Sequence, residues 1–262
     1  MHQPPHPLHV LQGAHRQADP IQRAPALIIA GATGALGNEV FRRLVGSARY
    51  RQVHVLAREP VRAGMSRMAL ALCAGDDPTL WSPLQADVGV VMFEPPRMFY
   101  ERERALWVPS PDTLHALAGW LRRSGVHSLV VVMPHAQGQL PVALQKGFAS
   151  LSEQMVSTLG FERVVWVRNA EKRVPAQSPS GLLQRLRDLV LSMFSYMVPA
   201  SQQPLRTAHV AHAVSLALLH APAGVHVLSH EMLWHASRTD MAQASKAWFT
   251  YEASETRAAL KA

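Results

Sequence analysis

Three glycines at the spacing G-x-x-G-x-x-G, Gly31, Gly34 and Gly37, follow directly on the apolar run Leu27-Ile28-Ile29-Ala30. A short run of this kind reads as a central strand of a parallel sheet, buried on both faces. Asn38 to Val45 then reads as a helix with Val40, Phe41 and Leu44 on one side. A strand, a glycine turn and a helix in this order form the phosphate-binding unit of dinucleotide folds. Gly31 permits the tight turn, Gly34 lets the backbone approach a pyrophosphate, and Gly37 lets the helix pack close to the sheet. The first N–H groups of the helix face the phosphate. A bare connection would not need three glycines, each of which costs backbone entropy. Gly31, Thr33, Gly34, Ala35, Leu36 and Gly37 are therefore the candidate cofactor-binding residues of the loop.

Arg58 stands where the second strand, Gln52 to Ala57, ends. An NAD-binding chain places Asp or Glu near this point to bond the ribose 2′-hydroxyl, whereas an Arg suits a 2′-phosphate. NADP(H) is favoured over NAD(H) on this ground, with Arg62 and Arg43 able to join Arg58. The competing reading of Arg58 is a surface arginine. Residues 42–67 hold seven Arg and one Glu, a net +6 within a chain of net +8. A cofactor phosphate accounts for that cluster, which makes nucleic acid the weaker partner; a salt-sensitive gel shift would support it instead.

The remaining pattern alternates strands and helices. Met68–Cys73, Asp87–Phe93, Leu129–Met133, Glu162–Val167 and Val225–Leu228 read as strands. Asp112–Ser124 and Ala143–Leu159 read as helices, each closed by a glycine, Gly125 and Gly160. Gly181–Met197 is amphipathic, and Val210–His220 and Met241–Ala262 are further helices. This alternation predicts a doubly wound parallel α/β sheet in a single main domain over residues 25–236. Ligands belong at the carboxyl ends of its strands. A region over about 175–205 is expected to cover the cofactor. Its Leu182, Leu183, Leu186, Leu189, Met193 and Phe194 are read as core in preference to a pocket, from their helical spacing. Residues 1–24, rich in Pro, His and Gln, read as a disordered tail, and 237–262 as a helical extension.

Composition removes other classes. The single cysteine, Cys73, excludes a disulfide framework and a Cys-cluster zinc site. No apolar run approaches the roughly 18–20 residues of a membrane helix. The N-terminus lacks a basic segment followed by an apolar one, so the expected location is the cytoplasm. His230 and His235 are five apart and do not share a helix face as zinc-protease ligands do. His209 and His212 are three apart, with no third ligand visible. No metal is expected.

The segments ALIIAGATGALGNEVFRRLV, VHVLAR, GVHSLVVVMP and EQMVSTLGFERVVWVRNA, in this order, resemble the atypical short-chain dehydrogenase/reductases, with the NmrA-like and Tat-interacting-protein-like branch nearest. The likeness spans Ala26 to Leu228 and implies a Rossmann fold with bound NAD(P). It also implies a Ser after the fifth strand and a Tyr four residues before a Lys, the pair that moves a proton while hydride leaves the nicotinamide. Lys146 matches the lysine, but Val142 stands at the Tyr position and Met133-Pro134-His135 at the Ser position. Lys146 keeps the implied role of bonding the nicotinamide ribose, against an exposed helix lysine. His135 is the titratable side chain at the right strand end and the candidate general acid or base, against a loop histidine without a role. Tyr100 and Tyr196 are not placed by the sequence.

Two functions follow. The first is an NADP(H)-dependent oxidoreductase with degenerate Ser and Tyr positions. The second is a non-catalytic NADP(H)-binding redox sensor that acts on a protein partner. The sequence leans slightly to the first and names no substrate. Family likeness also leaves a homodimer open.

Overall fold

The computed structural model of the chain describes residues 24–60, 67–135, 151–170 and 205–249. Within them the apolar runs become strands: β1 (Ala26–Ala30), β2 (Gln52–Ala57), β3 (Met68–Leu72), β4 (Val88–Met92), β5 (Ser128–His135), β6 (Arg163–Ala170) and β7 (Gly224–Leu228). They form one seven-stranded sheet in the order β3-β2-β1-β4-β5-β6-β7. Every neighbouring pair is parallel. The helices are α1 (Gly34–Gly46), α2 (Glu101–Arg104), α3 (Leu114–Arg123), α4 (Leu151–Ser157), α5 (Thr207–His220) and α6 (His230–Arg238). A further helix runs over 241–249. This is the α/β, Rossmann-like architecture that the alternation predicts.

Both faces of the sheet are covered, and the strand residues divide between them with period two. Leu27 and Ile29 of β1 pack with Val40 and Leu44 of α1 and Val210 and Val214 of α5. Ala26, Ile28 and Ala30 point the other way, into a core with Leu114, Leu117 and Leu121 of α3 and Val156 of α4. All five β1 residues are at most 1% exposed. That two-sided burial is why the run is continuously apolar. On the α3 side three indoles meet edge to face, Trp81 with Trp107 at 4.9 Å and Trp81 with Trp120 at 5.3 Å.

Some boundaries differ from the sequence expectation. α3 starts at Leu114 because Pro111–Thr113 forms a separate 3-10 turn capped by Ser110. α6 is absent from the sequence reading, which weighs His230 and His235 only as metal ligands. Its start is set by Ser229, whose hydroxyl accepts from the Met232 N–H at 3.3 Å. Its apolar face is Leu233 and Ala236, both buried. Met241, Trp248 and Phe249 of the next helix are buried in the same core as α1 and α5. The expectations for residues 1–23, 143–150, 171–204 and 250–262 lie outside the described residues. Among the described residues no helix is long and apolar enough to cross a membrane.

The strand order reverses between β1 and β4. The carboxyl ends of these two strands therefore flank a crevice, the position at which ligands enter open α/β sheets. The glycine turn leaves β1 on one side of it, and residues 93–107 leave β4 on the other.

Candidate functional site

The turn after β1 has the backbone its glycines suggest. Gly31 and Gly34 lie at φ +75° and +71°, conformations that side chains with a Cβ rarely adopt. A Cβ on Gly31 would overlap the Met92 carbonyl of β4, and one on Gly37 would meet the Gly31 carbonyl oxygen at 2.5 Å. Turn, helix and sheet are thus in closest contact at these points. Thr33 precedes α1 and is fully buried. Its hydroxyl donates to the Glu94 carbonyl, so it ties the turn to the exit of β4 and does not cap α1. Ala35 is exposed, whereas Leu36 is buried.

The first turn of α1 contains no acidic residue of its own. Its amides are held from elsewhere. The Leu36 N–H donates to Glu94 Oε2 at 2.6 Å, and the Gly34 N–H donates to Glu103 Oε2 at 3.0 Å. Two carboxylates thus stand at the positive end of the helix, where its dipole and unpaired donors favour negative charge. Glu103 is in turn gripped by Arg97. The Arg97 N–H donates to Oε2 at 2.9 Å, its Nε donates to Oε1 at 2.8 Å, and its Nη2 also reaches Oε1. The same guanidinium lies 3.8 Å over the Tyr100 ring.

Glu94, Arg97 and Glu103 belong to one strap, residues 93–107, that arches from β4 and returns over the exits of β1 and β2. Leu106 bridges Ala57 in antiparallel fashion. The Trp107 N–H donates to the Leu56 carbonyl at 3.0 Å, and its carbonyl accepts from the Gly31 N–H at 3.2 Å. The Arg58 N–H donates to the Ala105 carbonyl at 2.8 Å. The strap is therefore hydrogen-bonded to both sides of the glycine turn.

Burial works to raise the pKa of Glu103, but the Arg97 side chain and amide and the Gly34 amide outweigh it and hold it below the usual 4.5. A carboxylate depressed in the folded state contributes stability that is complete above the unfolded value and lost as the pH falls through the folded one. The urea midpoint of the wild type is expected to fall as the pH drops from 5 to well below 4.5, and Glu103→Gln is expected to flatten that fall. Urea unfolding of both proteins across this range checks it; equal slopes would remove Glu103 from the account.

The other residues singled out by sequence fall as follows. Arg58 follows β2 and its Nη2 lies 2.9 Å from Asp76 Oδ1, with the two side chains 53% and 75% exposed. An exposed pair of this kind holds Arg58 weakly. Arg43 lies in α1. Burial, the larger cause, and then the charge of Arg43 lower the pKa of His212 on α5. Tyr100 lies on the strap, half exposed. His135 is the last residue of β5, in register with Ala170 of β6. Lys146, Val142, Arg62 and Tyr196 lie outside the described residues. Cys73 has its thiol pushed up to about 12 by burial, which makes it a poor nucleophile. No group of three or more metal-ligating side chains occurs among the described residues.

Sequence reasoning missed Glu94 and Glu103. Glu94 carried a signal, since it is a charged residue just past the strand that flanks the crevice. Glu103 carried none, because its partner amide is 69 positions away.

No family model matches the chain, and no curated protein matches it. Solved structures do. A nucleoside-diphosphate-sugar epimerase from Staphylococcus aureus is 16% identical, with 82% of this chain and 78% of that one covered and a TM-score of 0.48. UDP-glucuronic acid 4-epimerase from Bacillus cereus, solved in complex with NAD, is 14% identical over 86% of this chain and 90% of that one, with a TM-score of 0.44. ADP-L-glycero-D-manno-heptose-6-epimerase from Helicobacter pylori is 13% identical over 81% and 78%, with a TM-score of 0.43.

Proposed function

We propose that this chain is an NADP(H)-binding Rossmann protein of the atypical short-chain dehydrogenase/reductase type. The observation that carries the reading is the turn from β1 into α1, whose first-turn amides of Gly34 and Leu36 both bind carboxylate oxygens. Donors that already hold anions are arranged to hold a pyrophosphate. The backbone fits that group. The carboxylates of Glu94 and Glu103 do not coexist with it, because they use the same donors.

Arg58 supports the choice of NADP(H). It follows β2, and its only ion pair among the described residues is the exposed one with Asp76, a partner that a ribose 2′-phosphate can replace. Calorimetric titration with NADPH and NADH tests this. Arg58→Ala is expected to weaken NADPH binding by about tenfold or more, the loss of a charge-assisted hydrogen bond, and to leave NADH unchanged. Equal affinity for both nucleotides in the wild type would remove the 2′-phosphate from the reading.

Turnover as an oxidoreductase with degenerate Ser and Tyr positions is the leading reading, and one feature supports sensing as the alternative. The position of the catalytic Tyr in the resembled family is Val142, and the exit of β5 reads Met133-Pro134-His135 without a Ser. A valine cannot transfer a proton. Lys146 and His135 remain the candidates if NADPH is oxidised at all, and assay of NADPH oxidation with carbonyl and quinone substrates decides it. The nucleotide then either reduces a substrate or reports the redox state to a protein partner.

A further inference from the structure

We infer that the strap over residues 93–107 is a built-in occupant of the phosphate cradle, so that the dinucleotide enters only when Glu94 and Glu103 withdraw. The inference rests on the dinucleotide reading above and adds a gate to it.

Four observations converge. The donors a pyrophosphate needs, the Gly34 and Leu36 amides, are each satisfied by a different carboxylate, from positions 69 and 58 residues away. Both carboxylates come from the segment that leaves β4, on the far side of the crevice from the glycine turn. The same segment lies over the exit of β2 through the Leu106–Ala57 bridge and the Arg58 to Ala105 bond. Finally, Glu103 is almost fully buried yet paired with Arg97 of its own strap. When Glu103 leaves the Gly34 amide it keeps that partner, so release does not strand an unpaired carboxylate. The strap thus leaves as a locally neutral unit, and the cradle amides pass from one anion to another.

The residues at the crown of the strap fit a moving part. Met98 and Phe99 are 78% and 90% exposed, so little of either side chain is buried against the rest of the protein. Among the described residues the attachments are the two carboxylates at the cradle, the Thr33 hydroxyl on the Glu94 carbonyl, and the backbone bonds and buried Trp107 side chain at Ala105 to Trp107.

A gate of this kind weakens binding by the fraction of molecules that are open. If closure is 90–99% complete, the apparent affinity drops by roughly 10–100-fold. The test is calorimetric titration of wild type, Glu94→Gln, Glu103→Gln and the double variant with NADPH and with inorganic pyrophosphate. The double variant is expected to bind both at least tenfold more tightly than wild type. Hydrogen exchange on the unaltered protein gives a second readout free of any folding defect in the variants. Saturating NADPH is expected to raise exchange over 93–107 while lowering it over 31–37. Tight NADPH binding by wild type with unchanged or slower exchange in the strap overturns the gate and leaves the dinucleotide reading standing. No binding by any of the four proteins overturns both.

Discussion

Gly31→Ala is expected to lower the unfolding free energy by about 3 kcal/mol or more and to reduce Tm by roughly 6–12 °C. The residue lies at φ +75°, where a Cβ costs on the order of 1–2 kcal/mol in backbone strain. The added carbon would also overlap the Met92 carbonyl. That carbonyl belongs to a central strand and cannot rotate away without breaking the β4 ladder, so the clash adds to the strain. The control is Gly119→Ala in α3, where a Cβ meets nothing within 4 Å. There the same chemical change is expected to stabilise by about 0.5–1 kcal/mol, since alanine is the better helix former. Thermal unfolding followed by circular dichroism compares the two. Equal effects would mean that the turn after β1 is looser than its geometry.

Trp107→Ala is expected to cost about 3–5 kcal/mol, the range for removing a buried large aromatic. The side chain is 1% exposed and contacts Trp81 edge to face. Its Nε1 donates to Asp76 Oδ1 at 3.2 Å, the oxygen that also receives Arg58. The loss therefore combines a cavity, an aromatic contact and a hydrogen bond. Trp107→Phe keeps most of the volume and is expected to lose less than half as much. Urea unfolding of the two variants separates these contributions. A Trp107→Ala cost below about 1 kcal/mol would show that the site collapses around the missing ring.

The strands were legible because burial on both faces leaves a plain mark. Leu27-Ile28-Ile29-Ala30 and Leu129-Val130-Val131-Val132 have no polar interruption, and nothing but a doubly covered sheet has a use for several such runs in alternation with helices. The glycine turn was legible because its three positions each answer a separate steric demand. α6 was less so. Its Ser229 cap and its Leu233–Ala236 face are ordinary helix signals, but the segment is weighed only for His230 and His235 as metal ligands, which their spacing of five excludes, and the helix signals around them are passed over. Of the occupants of the cradle, Glu94 left a faint mark as a charged residue just past β4, and Glu103 left none. A helix N-terminus announces that it wants an anion, and the chain does not say which of its carboxylates will arrive. Glu94 and Glu103 reach α1 only because the sheet order places β4 beside β1, a fact of tertiary structure. The charge cluster over 42–67 is divided by the fold: Arg43 belongs to α1, where its charge helps lower the pKa of His212, and Arg58 follows β2.

The parallel sheet also sets a timetable for the chain as it is made. β1 pairs with β2 on one edge and with β4 on the other, in the register Leu27 to Val88. About 60 residues must follow β1 from the ribosome before its second edge is closed. At about 5–20 residues per second that takes several seconds. During this interval an apolar strand with unpaired backbone groups is open to other nascent chains. A segment at most 1% exposed in the folded protein is thus left open early in synthesis. Slowing translation between β2 and β4 would lengthen its exposure and lower the yield of folded protein.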